Sequence, residues 1–386
     1  MRKRQIEFVM KISKYCNLRC SYCYEFNELS DTSRLSLASF GRMLDNMKGH
    51  AGRNWERICF IWHGGEPLLI KPAYYEQLGA LQREKLGEDV VYWNFTQSNL
   101  TALGDQTLDF VEQKRFFKGV GVSVDPFGTE RVDMRGRPTN ETVFKNMQRL
   151  RDRNYDFACI TVLTPKSLPF VSQTFNFFDT LGTQFRVLPY DFSASDDQAK
   201  THTLTAEQHV AALTTLFDLW LSSPGRLRID PIYEYMIYAM KYRNKVEKQY
   251  WDMWRDEAVF TVELDGALWG RPTAYEPDEE YGNIIEQDLE TILDSDKRRI
   301  ACEESVARIE TYCGTCPYYG YCPGKYVGNS TNIEQALFAK SGCWVQKVID
   351  HIVEKLDEIG IDTGTALAEM PAVQDNSDLS IAIANA

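Results

Sequence analysis

The sequence predicts an α/β protein: an open, partial (β/α)6 barrel over residues 1–204, followed by a bridging segment and a smaller cysteine-rich module. Two observations predict it. Six short runs of β-branched and aromatic residues alternate with segments of helical spacing, the pattern of a parallel sheet wrapped by helices. Seven of the ten cysteines fall into two groups, one near residue 20 and one near residue 320.

Strands are expected at 5–12 (QIEFVMKI), 57–63 (RICFIWH), 91–98 (VYWNFTQS), 119–125 (GVGVSVD), 157–163 (FACITVL) and 184–189 (QFRVLP). Between them, 35–48, 72–86, 104–114, 140–153 and 168–181 repeat apolar residues at helical spacing, with Ser167 as the capping residue of the last. Six βα units fall short of the eight that close a barrel, so the sheet should stay open and carry its site at the C-terminal strand ends. From 205 to 258 the pattern is helical and bridging. Its tyrosines, Tyr233, Tyr235, Tyr238 and Tyr242, read as core or groove lining. Residues 259–268 (VFTVELDGAL) read as a hairpin turning at Asp265-Gly266 and open a loop-rich module that runs to 360. The segment 361–386 is poor in aromatics and rich in Ala, Asp and Ser, the composition of a mobile tail.

A net charge of -12 and a pI near 5.1 disfavour partners bound through phosphates, so nucleic acid is excluded as a substrate class. No apolar run is long enough for a secretory signal or a membrane span, and a cytoplasmic protein is expected. In that reducing compartment ten cysteines point to metal ligation rather than to disulfides.

In KISKYCNLRCSYCYEF, Cys16-x3-Cys20-x2-Cys23 follows the first strand, where a loop can wrap a cubane. Three thiolates leave a fourth iron open to a small chelating molecule with an amine and a carboxylate. A zinc site is the alternative, but structural zinc takes four protein ligands and no fourth stands nearby. His63-Gly64-Gly65-Glu66-Pro67 ends the second strand: its paired glycines expose backbone polar groups, and Glu66 can accept from an ammonium. On its own such a loop is as well explained by an ordinary turn.

Together the triplet and the Gly-Gly-Glu-Pro loop resemble the radical S-adenosylmethionine (SAM) superfamily, whose members cleave SAM reductively to a 5'-deoxyadenosyl radical. The resemblance implies Tyr22 beside the adenine and Gly64, Gly65 and Glu66 around the methionyl amine. It further implies Ser123 and Asp125 near the ribose, Gln97, Ser98 and Asn99 at the same mouth, and Arg135 on the SAM carboxylate. Asp125-Pro126 also reads as a turn start, and Gln97 to Asn99 as loop capping.

Cys313-x2-Cys316-x5-Cys322 with Cys343 makes a closed four-thiolate set, open to zinc or a four-iron cluster on spacing alone. It resembles the SPASM module of peptide-modifying radical SAM enzymes. The full module has a further cysteine where this chain has Arg271, and another where it has Tyr326. Two [4Fe-4S] clusters are therefore expected, with Cys59, Cys159 and Cys302 as structural thiols. In the sulfatase-maturase branch an Asp base follows the hairpin cysteine, whereas this chain has Pro272.

A closed auxiliary cluster suits the uptake of one electron, and the resemblance extends to maturases of ribosomally made peptides that form three-residue cyclophanes. A leader-bearing precursor peptide and a flavodoxin- or ferredoxin-type reductant are the partners expected. The leader should dock by strand addition on the 259–268 hairpin edge, since the first strand starts by residue 5 and leaves no room for a separate recognition domain. Asp230, Glu263, Asp265, Tyr275 and Glu276 are the candidate bases, each also readable as a surface group. The alternatives are a sulfatase-type maturase forming formylglycine, and a non-catalytic iron–sulfur carrier or scaffold.

Overall fold

The computed structural model describes residues 5–190, 199–224, 227–270, 279–360 and 364. The expected tail, together with Arg271, Pro272, Tyr275 and Glu276, lies outside the described residues. All six expected strands form: β1 (Ile6–Lys11), β2 (Ile58–His63), β3 (Tyr92–Ser98), β4 (Phe117–Ser123), β5 (Phe157–Leu163) and β6 (Phe185–Pro189). They pair in parallel and in chain order. The sheet then continues past both ends. A two-residue strand, β7 (Ile229–Asp230), pairs parallel with β6, and β8 (Val259–Val262) pairs parallel with β1. Two antiparallel strands, β9 (Ala267–Trp269) and β10 (Glu280–Asn283), finish an open ten-stranded sheet of order β10-β9-β8-β1-β2-β3-β4-β5-β6-β7.

Helices cover this sheet, so its strands are buried on both faces, and every residue of β1 is buried. The helix Leu37–Asn54 starts where Ser36 Oγ accepts from the Ser39 N–H at 2.9 Å. The helix Pro72–Leu86 opens on proline and ends at Gly87, whose φ of 69° is the left-handed region that a Cβ resists. Ser167 does not cap the fifth helix. Its hydroxyl turns back on the Val162 and Thr164 carbonyls, and a 3-10 turn, Leu168–Phe170, precedes the helix Val171–Leu181. The bridging segment holds the helices Ala206–Ser222 and Ile232–Arg243. Among the described residues no helix is long and apolar enough to cross a membrane.

The hairpin is present but its expected free edge is not. β8 is hydrogen-bonded to β1 and β9, and β9 to β8 and β10. Strand addition there would require displacing an existing neighbour, so the leader-docking expectation is corrected.

Aromatic rings fill the space between β2, β3 and their helices. Trp62 packs on Phe40 at 5.3 Å, and Tyr75 packs edge-on to Phe117 at 4.7 Å between centroids. One buried polar knot sits inside this apolar layer. The Trp62 indole donates to Asn94 Oδ1 at 2.8 Å, while Asn94 and Gln82 exchange two amide hydrogen bonds at 2.9 Å each. Trp62 and Gln82 are fully buried and Asn94 nearly so. Removing the shared acceptor would strand donors that water cannot reach. Asn94→Ala should therefore lower the unfolding free energy by roughly 2–4 kcal/mol, read as a shift in the denaturant midpoint. A smaller change than an ordinary surface substitution gives would count against the knot.

Candidate active site

The strand ends gather the first cysteine group into a cavity of about 210 Å³. The loop that carries it is held from several sides. Cys16 N–H donates to Leu29 O at 3.1 Å, Arg19 N–H to Val132 O at 2.7 Å and Ser21 N–H to Glu130 O at 3.0 Å. Cys16, Cys20 and Cys23 all line the cavity. Burial pushes the Cys16 thiol up to about 12 and raises Cys20 and Cys23 as well. Cysteine nucleophile chemistry at neutral pH is thereby disfavoured, and a strongly electropositive group is what would draw three thiolates from this setting.

Among the described residues no three His, Cys, Asp or Glu stand close enough to hold one metal ion. A tetrahedral zinc set, with Zn–S near 2.3 Å, would bring its sulfurs to roughly 3.8 Å of one another.

The glycine loop explains its own composition. Gly64 and Gly65 have φ of 81° and 45°, and a Cβ on Gly65 would fall 2.2 Å from Tyr15 O. That approach lets Glu66 N–H donate to Tyr15 O at 2.9 Å, one residue before Cys16. The Glu66 side chain faces away from the cavity. It accepts from the Leu68 N–H at 2.8 Å and from the Ser98 hydroxyl and the Asn99 N–H at 2.7 Å each. Burial raises its carboxyl above the usual range despite those donors. Glu66 thus ties the loops after β2 and β3 together, a bracing position rather than the expected place beside an ammonium.

The other expected contacts divide. Tyr22, Gly65, Gln97, Asn99 and Ser123 line the cavity, whereas Gly64 and Asp125 lie just behind its wall. Gln97 donates to Ser123 Oγ at 2.7 Å and leaves its own buried Oε1 without a hydrogen-bond partner. The Asn99 amide reaches Cys16 Sγ at 3.7 Å and Asn17 Oδ1 at 3.1 Å. Asp125 is buried, accepting from the Tyr22 hydroxyl, from Thr161 Oγ at 3.1 Å and from Val162 N–H at 2.9 Å.

Arg135 is exposed on a turn, its N–H bonded to Asp133 Oδ1 at 2.8 Å, and it does not line the cavity. Arg131, four residues earlier, is the arginine of this loop that lines the cavity. This guanidinium is buried, donates to the Tyr22 hydroxyl at 2.6 Å and has a buried Nε with no partner. Arg131 and Arg135 share one arginine-rich loop, and the bonds from Arg19 N–H to Val132 O and from Ser21 N–H to Glu130 O, with the bridge of Leu18 to Asp133, hold its first part against the cysteine loop.

Sequence reasoning also missed a charged group at the ends of β1 and β2. The β1–β2 register sets Lys11 opposite His63. Lys11 is buried, pairs with Glu25 at 2.8 Å and donates to the Tyr24 hydroxyl at 2.5 Å. Of the candidate bases among the described residues, Glu263 joins this group: it is half-buried, burial raises its carboxyl, and Lys11 partly offsets the rise. Asp230 is paired with Arg228 at 3.2 Å, and Asp265 is exposed in the hairpin turn.

The second group, Cys313, Cys316, Cys322 and Cys343, lines one small pocket walled by Tyr312, Tyr318, Tyr319 and Tyr326. Cys313 ends the helix Asp296–Cys313, and Cys343 is the N-cap of the helix Trp344–Ile359, where the helix dipole favours a thiolate. Tyr326, at one of the missing-cysteine positions, packs on Trp344 at 5.2 Å and donates to Glu334 at 2.7 Å. Cys59, Cys159 and Cys302 are buried and line neither cysteine pocket.

Between the two groups lies a third cavity, of about 290 Å³. Leu188 and Pro189, at the end of β6, line both this cavity and the first. Cys322 lines it at the other side, as do Tyr235 and Tyr238 of the bridging helix. Tyr238 donates to Glu234 at 2.5 Å.

With this geometry in hand, residues 10–167 match the sequence model of the Radical SAM superfamily. Among curated proteins, the cysteine-type anaerobic sulfatase-maturating enzyme of Clostridium perfringens is 23% identical over 341 residues, covering 81% of this chain and 86% of that one. The serine-type enzyme of Klebsiella pneumoniae is 22% identical over 315 residues, covering 81% and 79%. Among solved structures, native anSMEcpe with bound AdoMet and Cp18Cys peptide superposes with a TM-score of 0.71 at 17% identity, over 92% of this chain and 99% of that one. SuiB of Streptococcus suis bound to S-adenosylmethionine gives 0.52 at 14% identity, over 76% and 66%. The chain thus has the α/β radical SAM fold in the arrangement seen in anSMEcpe, with a cysteine-rich region C-terminal to it. SAM and iron–sulfur clusters are the cofactors of that family, and the open Gln97 oxygen, the Arg131 guanidinium and the cysteine-lined cavity fit them.

His63 supplies a pH test of this rim. The Gly64 N–H donates to His63 Nδ1 at 2.7 Å, which requires that nitrogen to be unprotonated, and burial with Lys11 beside it holds the ring down to about 3. The unfolded chain takes up this proton near pH 6.5. A depressed folded value means that stability is lost as the pH falls below that point. Because the ring is only half-buried, acidification from pH 7 to 5 should cost about 1–2 kcal/mol through this residue. His63→Gln should flatten that part of a stability–pH profile, and an unchanged profile would contradict the assignment.

Proposed function

We propose that this chain is a radical SAM maturase of the anaerobic sulfatase-maturating type, oxidising a cysteine or serine side chain on a peptide. The observation that carries this reading is the pair of cavities with a common Leu188–Pro189 wall, one lined by three cysteines and the other by Cys322 of a four-cysteine set. Similarity over four-fifths of the chain to cysteine- and serine-type sulfatase-maturating enzymes supports it.

In this reading Cys16, Cys20 and Cys23 hold the first four-iron cluster, and Cys313, Cys316, Cys322 and Cys343 hold a second. When bound, these groups and SAM supply a 5'-deoxyadenosyl radical at one site and a sink for one electron at the other. Arg131 binds the methionyl carboxylate, in place of the exposed Arg135. Gln97 Oε1 accepts from the ammonium, and Tyr22 and Ser123 wall the nucleoside. Leu188, Tyr235 and Trp344 exclude water from the neighbouring cavity, where the peptide side chain enters. Glu234, oriented by Tyr238, is the carboxylate placed to take the proton released as the substrate is oxidised.

Cross-linking of a ribosomal peptide is the second reading. Pro272 favours it, standing where the sulfatase branch carries its Asp base. One assay separates the two. Incubated with SAM, reductant and a cysteine-containing sulfatase-type peptide, the reconstituted enzyme should yield 5'-deoxyadenosine and an aldehyde that reacts with a hydrazine probe. Loss of two hydrogens without an aldehyde would support cross-linking, and no deoxyadenosine at all would leave only a carrier or scaffold.

The cluster assignments make their own prediction. The reconstituted chain should hold about eight irons, and Cys16→Ala or Cys343→Ala should each remove about half. Gly65→Ala should cost iron at the first site alone, because its Cβ would push the Tyr15 carbonyl away from the loop that carries Cys16.

A further inference from the structure

We propose that the strap Arg243–Tyr250, lying over the tyrosines that wall the second cysteine pocket, is the docking face for an acidic one-electron carrier protein, of the flavin or iron–sulfur kind. The inference rests on the second site holding a redox cluster, as proposed above.

Pairs of tyrosine rings in contact run from that pocket towards solvent. Tyr318 and Tyr319 line the pocket beside Cys313 and Cys316. Tyr319 packs on Tyr250 at 4.9 Å, and Tyr250 is 48% exposed. Tyr318 packs on Tyr242 at 4.7 Å, and Tyr242 on Tyr321 at 5.6 Å. The strap is fastened to the cysteine loop itself: Gln249 N–H donates to Gly320 O at 2.7 Å, and Trp251 N–H donates to Pro323 O at 3.0 Å.

Its charge is the reverse of the chain's. Lys245 sets its ammonium 3.7 Å from the Tyr242 ring centre, and Lys248 sets its own 5.4 Å from that of Tyr321. Both lysines are exposed, and neither has a carboxylate within ion-pair distance among the described residues. Lys241 adds a third cation, which donates to Gln249 at 3.5 Å. Glu247 is the one acid within the strap, Arg243 is already paired with Asp357, and Asp350 is engaged by the Tyr318 hydroxyl. On a protein of net charge -12 an acidic carrier is repelled overall, so a local cationic face over the redox pocket decides where it can land. Ammonium groups already held over aromatic rings give that face less entropy to lose on docking. The exchange balances simply: one electron leaves the second site for the oxidised carrier in each turnover, and no atom moves.

Binding tests the proposal without relying on turnover. An acidic flavodoxin is titrated, by its flavin fluorescence, into the cluster-reconstituted full chain at low and at physiological salt. Lys245→Glu with Lys248→Glu should weaken association by about tenfold or more at low salt and flatten its salt dependence. The control pair Arg115→Glu with Lys118→Glu makes the same charge change at exposed positions where β4 starts, outside the strap, and should weaken it less than about twofold. An equal loss in the control, or no loss in the strap variant, overturns the proposal. So does weaker binding of the substrate peptide to the strap variant with carrier binding intact. Deoxyadenosine formation with a chemical reductant is measured alongside. If it is present while the strap variant binds the carrier normally, the docking face fails and the enzyme reading stands. If it is absent while carrier binding is lost as expected, the enzyme reading fails and the face stands.

Discussion

The site depends on one close approach, that of the Gly64–Gly65 backbone to Tyr15. Only residues without a Cβ can bring the β2 loop so near the cysteine loop. The hydrogen bond from Glu66 N–H to Tyr15 O then fixes the first loop to the second, and the Glu66 carboxylate, satisfied by three donors, fixes the second to the third. Three loops that belong to three separate βα units become one rigid rim, as a reactive centre requires. The glutamate does this without lining the cavity itself.

Much of this was legible in the sequence, for a local reason. Short apolar runs bounded by turn residues name a buried parallel strand wherever they occur, and all six did. The thiolate spacings are likewise local. What escaped was set by contacts between distant residues. Nothing near Val259 announces that it will pair with Glu7, so the hairpin was expected to present a free edge, when β8 is in fact buried beside β1. Arg131 and Arg135 lie four residues apart in one loop, and which of them faces the cavity is set by the bonds that Arg19, Ser21 and Leu18 make to its first part. The Lys11–Glu25 pair was invisible because a lysine in a strand reads as an outward residue until the register sets it against His63. Tyr235 and Tyr238 were read correctly as lining, but which cavity they line is settled by the position of the cysteine module.

The two cysteine groups are chemically different in a way the fold makes plain. The first stands in a cavity with unsatisfied polar atoms, Gln97 Oε1 and Arg131 Nε, which leaves room and hydrogen-bonding capacity for a small polar molecule. The second is enclosed by tyrosines in a space of about 20 Å³ and offers nothing of the kind. Leu188 and Pro189 stand between them as a shared apolar partition. A side chain entering the larger cavity would meet the chemistry of one group on one side and Cys322 of the other on the opposite side.

The pairing of β8 with β1 also sets a timetable for the growing chain. The first strand and the cysteine loop that follows it are made well before β8, and β1 acquires its second neighbour only after about 250 further residues have been made. At ordinary elongation rates that is an interval of roughly 10–50 s. Through it the three thiols of the first group remain on an unfinished sheet, open to oxygen and to stray metals. In the reading proposed above, iron delivered before β8 is in place would meet a cysteine loop whose supporting strand still lacks one of its two neighbours.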